Sequence, residues 1–346
     1  MKISFKKLLT VFMSIVLLSA LPLSAAELKP VLKLDDAVQS AFVRSNQVSL
    51  NVKEYDLLRE QLKAIEGASF VSYQTMYLTK AKNEQQAQII KDQITYDITN
   101  RYNALILLEK EIMNLDASIM INSKKLQTMA LQKKLGLVST LEFDNAQIQL
   151  DMQKSTHKAK LEALTNDQNH FKVLTGKDLS KYLLDDAISY EPFRITGSVE
   201  NYTNNKAADY LKYDKDIVAL QADNILQEGA TPMPWAVYLG EKYKVDKNLS
   251  TLENNQEKIK QGLISSYSTL LSLEEQIATL QNQLKLIHNQ LQIAKLQAEV
   301  GMITKLDYDT QLIKLQDTDY ALIKLITNYN SLKTAIQKPW VSSGGM

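Results

Sequence analysis

Two stretches decide how this chain folds: Leu135-Gly136-Leu137-Val138-Ser139-Thr140-Leu141-Glu142 and, 165 residues later, Val300-Gly301-Met302-Ile303-Thr304-Lys305-Leu306-Asp307. In each, a glycine that can adopt the left-handed conformation ends one helix. A hydroxyl side chain (Ser139 or Thr140, then Thr304) offers an acceptor to the free amides of the next helix, with an acid near its positive end. Each stretch reads as the tight tip of an antiparallel helical hairpin.

Working outward, the same offset of 165 relates residues 94–150 to 259–315 without a gap. Tyr102, Glu109, Gly136 and Asp144 meet Tyr267, Glu274, Gly301 and Asp309. Chance heptad matching could pair leucines, but not these four residue types as well, so the chain is a tandem duplication. Apolar residues alternate at spacings of 4 and 3, as in Leu105, Leu108, Ile112, Leu115, Ile119 and Leu270, Leu273, Ile277, Leu280, Leu284. A 3.5-residue repeat sustained this far is a coiled-coil seam. Arg101 and Asn122 interrupt it, either fixing register or marking a solvated face. A helix from about Asn83 to Leu135 would be roughly 80 Å long. Return arms are expected over 141–175 and 305–338, and shorter preceding helices over about 34–66 and 206–226.

Composition agrees. The 346 residues include 10 Gly, 6 Pro and no Cys, and no proline lies between Pro30 and Pro192, which permits very long helices. The absence of Cys removes disulfides and thiolate metal sites. With 40 basic and 39 acidic residues there is no surplus to neutralise nucleic-acid phosphates. No triad, metal cluster or phosphate loop is present, so neither an enzyme nor a cofactor is expected. Residues 1–26 read as a secretory signal: three lysines, an apolar run Leu8–Leu21, and Ser24-Ala25-Ala26 before Glu27. Their removal would leave 37 basic and 39 acidic groups. The expected organisation is signal 1–26, first repeat 27–175, linker 176–205, second repeat 206–338 and a disordered tail 339–346.

The opening Leu34-Asp35-Asp36-Ala37-Val38, Ala41 and Asn46, the two glycine tips and the duplication together resemble the TolC-like outer-membrane efflux protein family. The resemblance covers nearly all of the exported chain, although the proline that often follows the asparagine is Gln47 here. It implies an all-α fold of long coiled-coil hairpins, three copies of which close into a hollow cylinder of twelve long helices. It also implies an exit duct for efflux or type I secretion, in the cell envelope or outer membrane, working with a periplasmic adaptor and an inner-membrane transporter. One departure stands out. The family inserts two strands between the shorter and longer helices of each repeat, closed by the trimer into a membrane barrel. A membrane strand takes about 9–11 residues. The segments available here, Gly67–Lys82 with some strand character and Gln227–Asn248 with two prolines, are too short, so little or no β structure is expected.

By the same resemblance, Glu142 and Asp307, with Asp144 and Asp309, would ring one end of the cylinder as an acidic gate. The alternative is ordinary helix-start charge, worth about 0.3–1 kcal/mol. Gly136, Leu137, Val138, Gly301, Met302 and Ile303 would be adaptor-docking tips; otherwise they are turn packing. Trp235, Tyr238 and Tyr243 are either an interfacial aromatic cluster or a capped cylinder end. A non-conducting coiled-coil structural or adaptor protein of the envelope is the competing function. The narrow a/d stripe does not separate the two.

Overall fold

The computed structural model describes residues 29–67, 69–225 and 234–341. The expected signal segment, residues 342–346 of the tail, and residues 226–233 of the second insert lie outside them.

Among the described residues the α-helices and β-strands follow in order: β1 (Val31–Leu32), α1 (Leu34–Arg44), α2 (Asn46–Ala64), α3 (Phe70–Lys134), α4 (Thr140–Thr175), β2 (Leu183–Leu184), α5 (Val199–Asn224), α6 (Trp235–Glu299) and α7 (Lys305–Gln337). The fold is all-α, as expected; β1 and β2 form only a two-residue parallel pair, Val31 beside Leu183 and Leu32 beside Leu184. Helices α3 and α6 have 65 residues each, close to 100 Å of rise.

The strand character anticipated between Gly67 and Lys82 is not realised: α3 begins at Phe70. Ser69 starts it, its hydroxyl accepting from the Ser72 amide. Packing against antiparallel α2 then overrides the local β preference, with Asn51 Nδ2 donating to the Asn83 carbonyl at 3.2 Å and Lys80 over the Tyr55 ring. Only residues 65–69 separate α2 from α3. The first short helix is also divided at Ser45, whose extended backbone and cap to the Val48 amide restart it. In the second repeat the short helix begins at Val199, earlier than expected, because Ser198 caps it.

Side by side, α3 packs against α4 and α7 in one half of the molecule, and against α2 and α5 in the other; α6 packs against α7 and then α5. The order is therefore α4–α3–α7–α6 towards the tips and α2–α3–α5–α6 away from them. This is an open layer with α4 and α6 as edges in the tip half. Polar pairs set its register: Asn122 donates to Gln153 across α3–α4, and Asn114 to Asp317 across α3–α7. Arg101 pairs with Asp97 one turn earlier.

The segment between the repeats straps both units at mid-height. Tyr102 donates to the Leu32 carbonyl at 2.6 Å and accepts from the Asp185 amide at 2.7 Å; burial pushes its phenol up to about 12. Its repeat partner Tyr267 accepts from the Ile195 amide. Tyr329 accepts from the Phe193 amide and donates to Glu274, which also holds Arg194. Two apolar clusters lie beneath, around Ile98, Leu105 and Phe171 and around Leu270, Ile277 and Ile336. The tail expected to be disordered from Pro339 is ordered through Val341: Asp92 accepts from Lys338 Nζ and Trp340 Nε1, both at 2.8 Å, which docks a short helical turn on α3.

Candidate gate and docking tips

Both hairpins turn at the same end, since α3 and α7 run antiparallel with Asn114 beside Asp317 and Lys125 close enough to act on Asp307. Each long helix ends in a Schellman motif. Gly136 (φ +72°) sends its amide to the Lys133 carbonyl and Leu137 to Gln132; Gly301 (φ +76°) and Met302 do the same to Ala298 and Gln297.

Three residues later each return helix opens with a capping box. Ser139 accepts from the Glu142 amide, and the Glu142 carboxylate accepts from the Ser139 amide at 2.9 Å and its hydroxyl at 2.8 Å. Thr304 and Asp307 repeat this at 3.1, 3.1 and 2.7 Å. The carboxyl of Glu142 is held below its ordinary range by the Ser139 amide and hydroxyl. That of Asp307 is lowered by the Thr304 hydroxyl and amide, with help from Lys125. Both groups are exposed. The first two residues anticipated for a gate are thus helix-start carboxylates with one oxygen committed to the cap. Asp144 is exposed and lies 3.7 Å from Lys133, whereas Asp309 is half-buried.

Of the six anticipated tip residues, Val138 and Ile303 are half-buried and the other four are exposed. A Schellman motif ordinarily packs its apolar C″ residue back on the preceding turn. Here Leu137 is 72% and Met302 74% exposed, and Leu131, Leu135, Leu141, Leu296 and Val300 are exposed around them. These side chains together place a concentration of exposed apolar surface at one end.

The apolar edges of the layer escaped the heptad count, because a single stripe cannot reveal a second seam. Ile148 and Met152 on α4 and Leu286, Ile293 and Leu296 on α6 are all exposed. The mid-height strap was signalled only by the paired Tyr102 and Tyr267, and Glu109 and Glu274.

No protein-family model matches the chain, and no curated protein matches its sequence. Solved structures do match. CusC, described in terms of transmembrane channel formation, superposes with TM-score 0.64 at 10% identity, over 89% of this chain and 91% of that one. The outer membrane protein VceC of Vibrio cholerae gives 0.61 at 13% identity, over 89% and 96%. The open MtrE outer membrane channel of Neisseria gonorrhoeae gives 0.57 at 9%, over 89% and 88%. The fold is that of the TolC-like outer-membrane channels.

Proposed function

We propose that three copies of this chain close into a hollow cylinder that acts as the exit duct of an efflux or secretion system in the cell envelope. The observation that carries this reading is the open layer. A closed bundle would bury its apolar stripes inside one chain, whereas α4 and α6 leave theirs unpartnered on opposite edges. An edge-to-edge contact of α4 with the α6 of a neighbour is heterologous, and rotation closes it into a ring. Four helices per chain in the tip half give twelve in a trimer.

Within that assembly, the exposed apolar tips dock an adaptor protein that links the duct to an inner-membrane transporter. Glu142, Asp307, Asp144 and Asp309 line the end of the duct and favour cations. Light scattering with particle imaging of the purified chain tests the assembly. A trimer with a central hole is expected; a stable monomer at micromolar concentration overturns the duct.

The five-residue link between α2 and α3 favours a second reading, a non-conducting coiled-coil structural or adaptor protein, because it leaves no room there for membrane strands. A solid trimer or closed dimer without a hole in the images would select it.

A further inference from the structure

Resting on the duct reading above, we infer that the bore is walled by an uncharged amide ladder on α6, so that solutes of either charge sign pass along it and sorting by charge is left to the tip end. Thr269, Gln276, Gln283, Gln290 and Gln297 follow one another at intervals of seven residues. A heptad spacing keeps them on one line of a coiled-coil helix. The first four are exposed and Gln297 is half-buried. From Thr269 to Gln297 the line rises about 42 Å.

The strap fixes which way this line points. Tyr267 and Glu274 lie on the strap side of α6, where they meet the Ile195 amide and Arg194. Thr269 and Gln276 come two residues after them, roughly 200° round the helix, and so lie on the opposite face. On α3 the same step leads from Tyr102 and Glu109 to Ala104 and Glu111. Glu111 reaches both neighbouring helices, Lys160 of α4 at 2.8 Å and Tyr320 of α7 at 3.3 Å, as a side chain does on the concave side of a curved layer. A groove between α6 and α7 joins Gln290 and Gln297 to Gln311 and Lys314. Three straps turned inwards would block a cylinder at mid-height, so a duct turns the ladder face inwards.

The charges sort by face. From Ile259 to Glu299 the charged residues of α6 are Lys260, Glu274, Glu275, Lys285, Lys295 and Glu299. By heptad position all of them fall on the strap side or the outer edge. The tip end keeps its carboxylates Glu142, Asp144, Asp307 and Asp309, with Lys133 beside Asp144 and Lys125 acting on Asp307. Between that end and the strap, the ladder face of the other helices holds Lys314 and the Glu111–Lys160 pair, with Asp317 and Lys324 at its border. Signs are mixed there, and no block of like charge forms. Such a wall has little field with which to enrich ions of one sign. Its amides both donate and accept hydrogen bonds, which keeps the bore wetted where an apolar lining would dewet it.

The chain contains no cysteine, so a single introduced thiol reports on one position. Gln283 and Lys285 are exposed at nearly one height on opposite faces of α6. Biotin-maleimide should label both Gln283→Cys and Lys285→Cys in the purified full-length protein. In the trimer, streptavidin should then capture only Lys285→Cys, because twelve helices about 10 Å apart leave a bore of roughly 28 Å, too narrow to admit it. Wall charge is read from the rates at which cationic and anionic methanethiosulfonates modify Gln283→Cys in the trimer. Their ratio should match that of a free thiol within about twofold, whereas a cleft of one sign would move it about tenfold or more. Adding Gln276→Glu and Gln290→Glu, one heptad to either side, should raise the ratio about tenfold at low ionic strength and less at high. Should that variant fail to fold, Gln290→Glu alone should move the ratio the same way. A monomer, or a trimer without a hole, removes the duct and the ladder's role with it. A hollow trimer in which streptavidin captures Gln283→Cys overturns the inference and leaves the duct standing. So does a hollow trimer whose ratio lies as far from that of a free thiol as the carboxylate variant's, or does not respond to the added carboxylates.

Discussion

Glu142 and Asp307 place two demands on one side chain, since each completes a cap and each is proposed to carry gate charge. The demands separate by substitution. Gln still serves in a capping box, so Glu142→Gln with Asp307→Asn removes charge while retaining acceptors for the Ser139 and Thr304 amides. The double variant should keep its helicity and lose cation preference in reconstituted conductance. Unchanged selectivity would leave both residues as caps alone. Acid titration provides a second test. In the single chain both carboxyls lie below their ordinary values, so their contribution to stability is present above that range and is lost as pH falls through the lowered values. Packed into a ring, like charges would push the same groups upwards. The thermal unfolding midpoint of the unassembled chain should therefore fall as pH drops below about 4.5, the ordinary glutamate value, and fall less in the double variant. The sequence exposed these residues because caps are local: glycine, hydroxyl and acid at fixed spacing need no tertiary knowledge. It could not show that the acids are occupied with their own caps, because that depends on which rotamer they adopt.

At the level of elements, the long helices were legible and their far ends were not. A heptad seam carries its own periodicity, so α3 and α6 announced themselves from Ile94 and Ile259 onwards. The start of α3 did not, because Phe70, Val71, Tyr73, Thr75 and Tyr77 have β-branched or aromatic side chains with weak helix preference. Their helix is fixed by α2 lying antiparallel alongside, a contact between residues 32 apart in the case of Asn51 and Asn83. Likewise, nothing local marked Tyr102 as the anchor of a strap arriving from residue 185. Tyr102→Phe removes both of its hydrogen bonds and strands the Leu32 carbonyl and Asp185 amide, at a cost of roughly 1–3 kcal/mol. Urea unfolding should show a lower midpoint, with the two-residue pairing of β1 and β2 lost first in hydrogen exchange. The tips respond through backbone alone. A Cβ at Gly136 or Gly301 meets nothing within 4 Å, yet both sit at positive φ. Alanine at either should cost about 1–2 kcal/mol, read as a drop in the midpoint of thermal unfolding.

For the whole molecule, the decisive feature is that the tip half is one helix thick. Each of α3 and α7 has neighbours on both sides, while α4 and α6 have one principal neighbour there and an apolar outer face. Leaving Ile148, Met152, Leu286, Ile293 and Leu296 in water sacrifices burial worth on the order of 25 cal/mol per Å². In the proposed trimer, joining α4 of one copy to α6 of the next would recover it at three identical seams. Because that proposed contact is heterologous, damage to either edge alone would break every seam of the ring. Ile148→Asp with Met152→Asp on α4 should therefore yield a monomer by light scattering, and Leu286→Asp with Ile293→Asp on α6 should do the same independently. These positions are exposed in the single chain, so helical circular dichroism and the unfolding midpoint of the dissociated form should stay close to those of diluted native protein. Mixing the two variants supplies a further check. Each retains one intact edge, so a mixture can form a single native seam and should populate a heterodimer but no closed ring. A trimer that survives both pairs of substitutions would mean that α4 and α6 are not the closing edges, and the open layer would then need another partner.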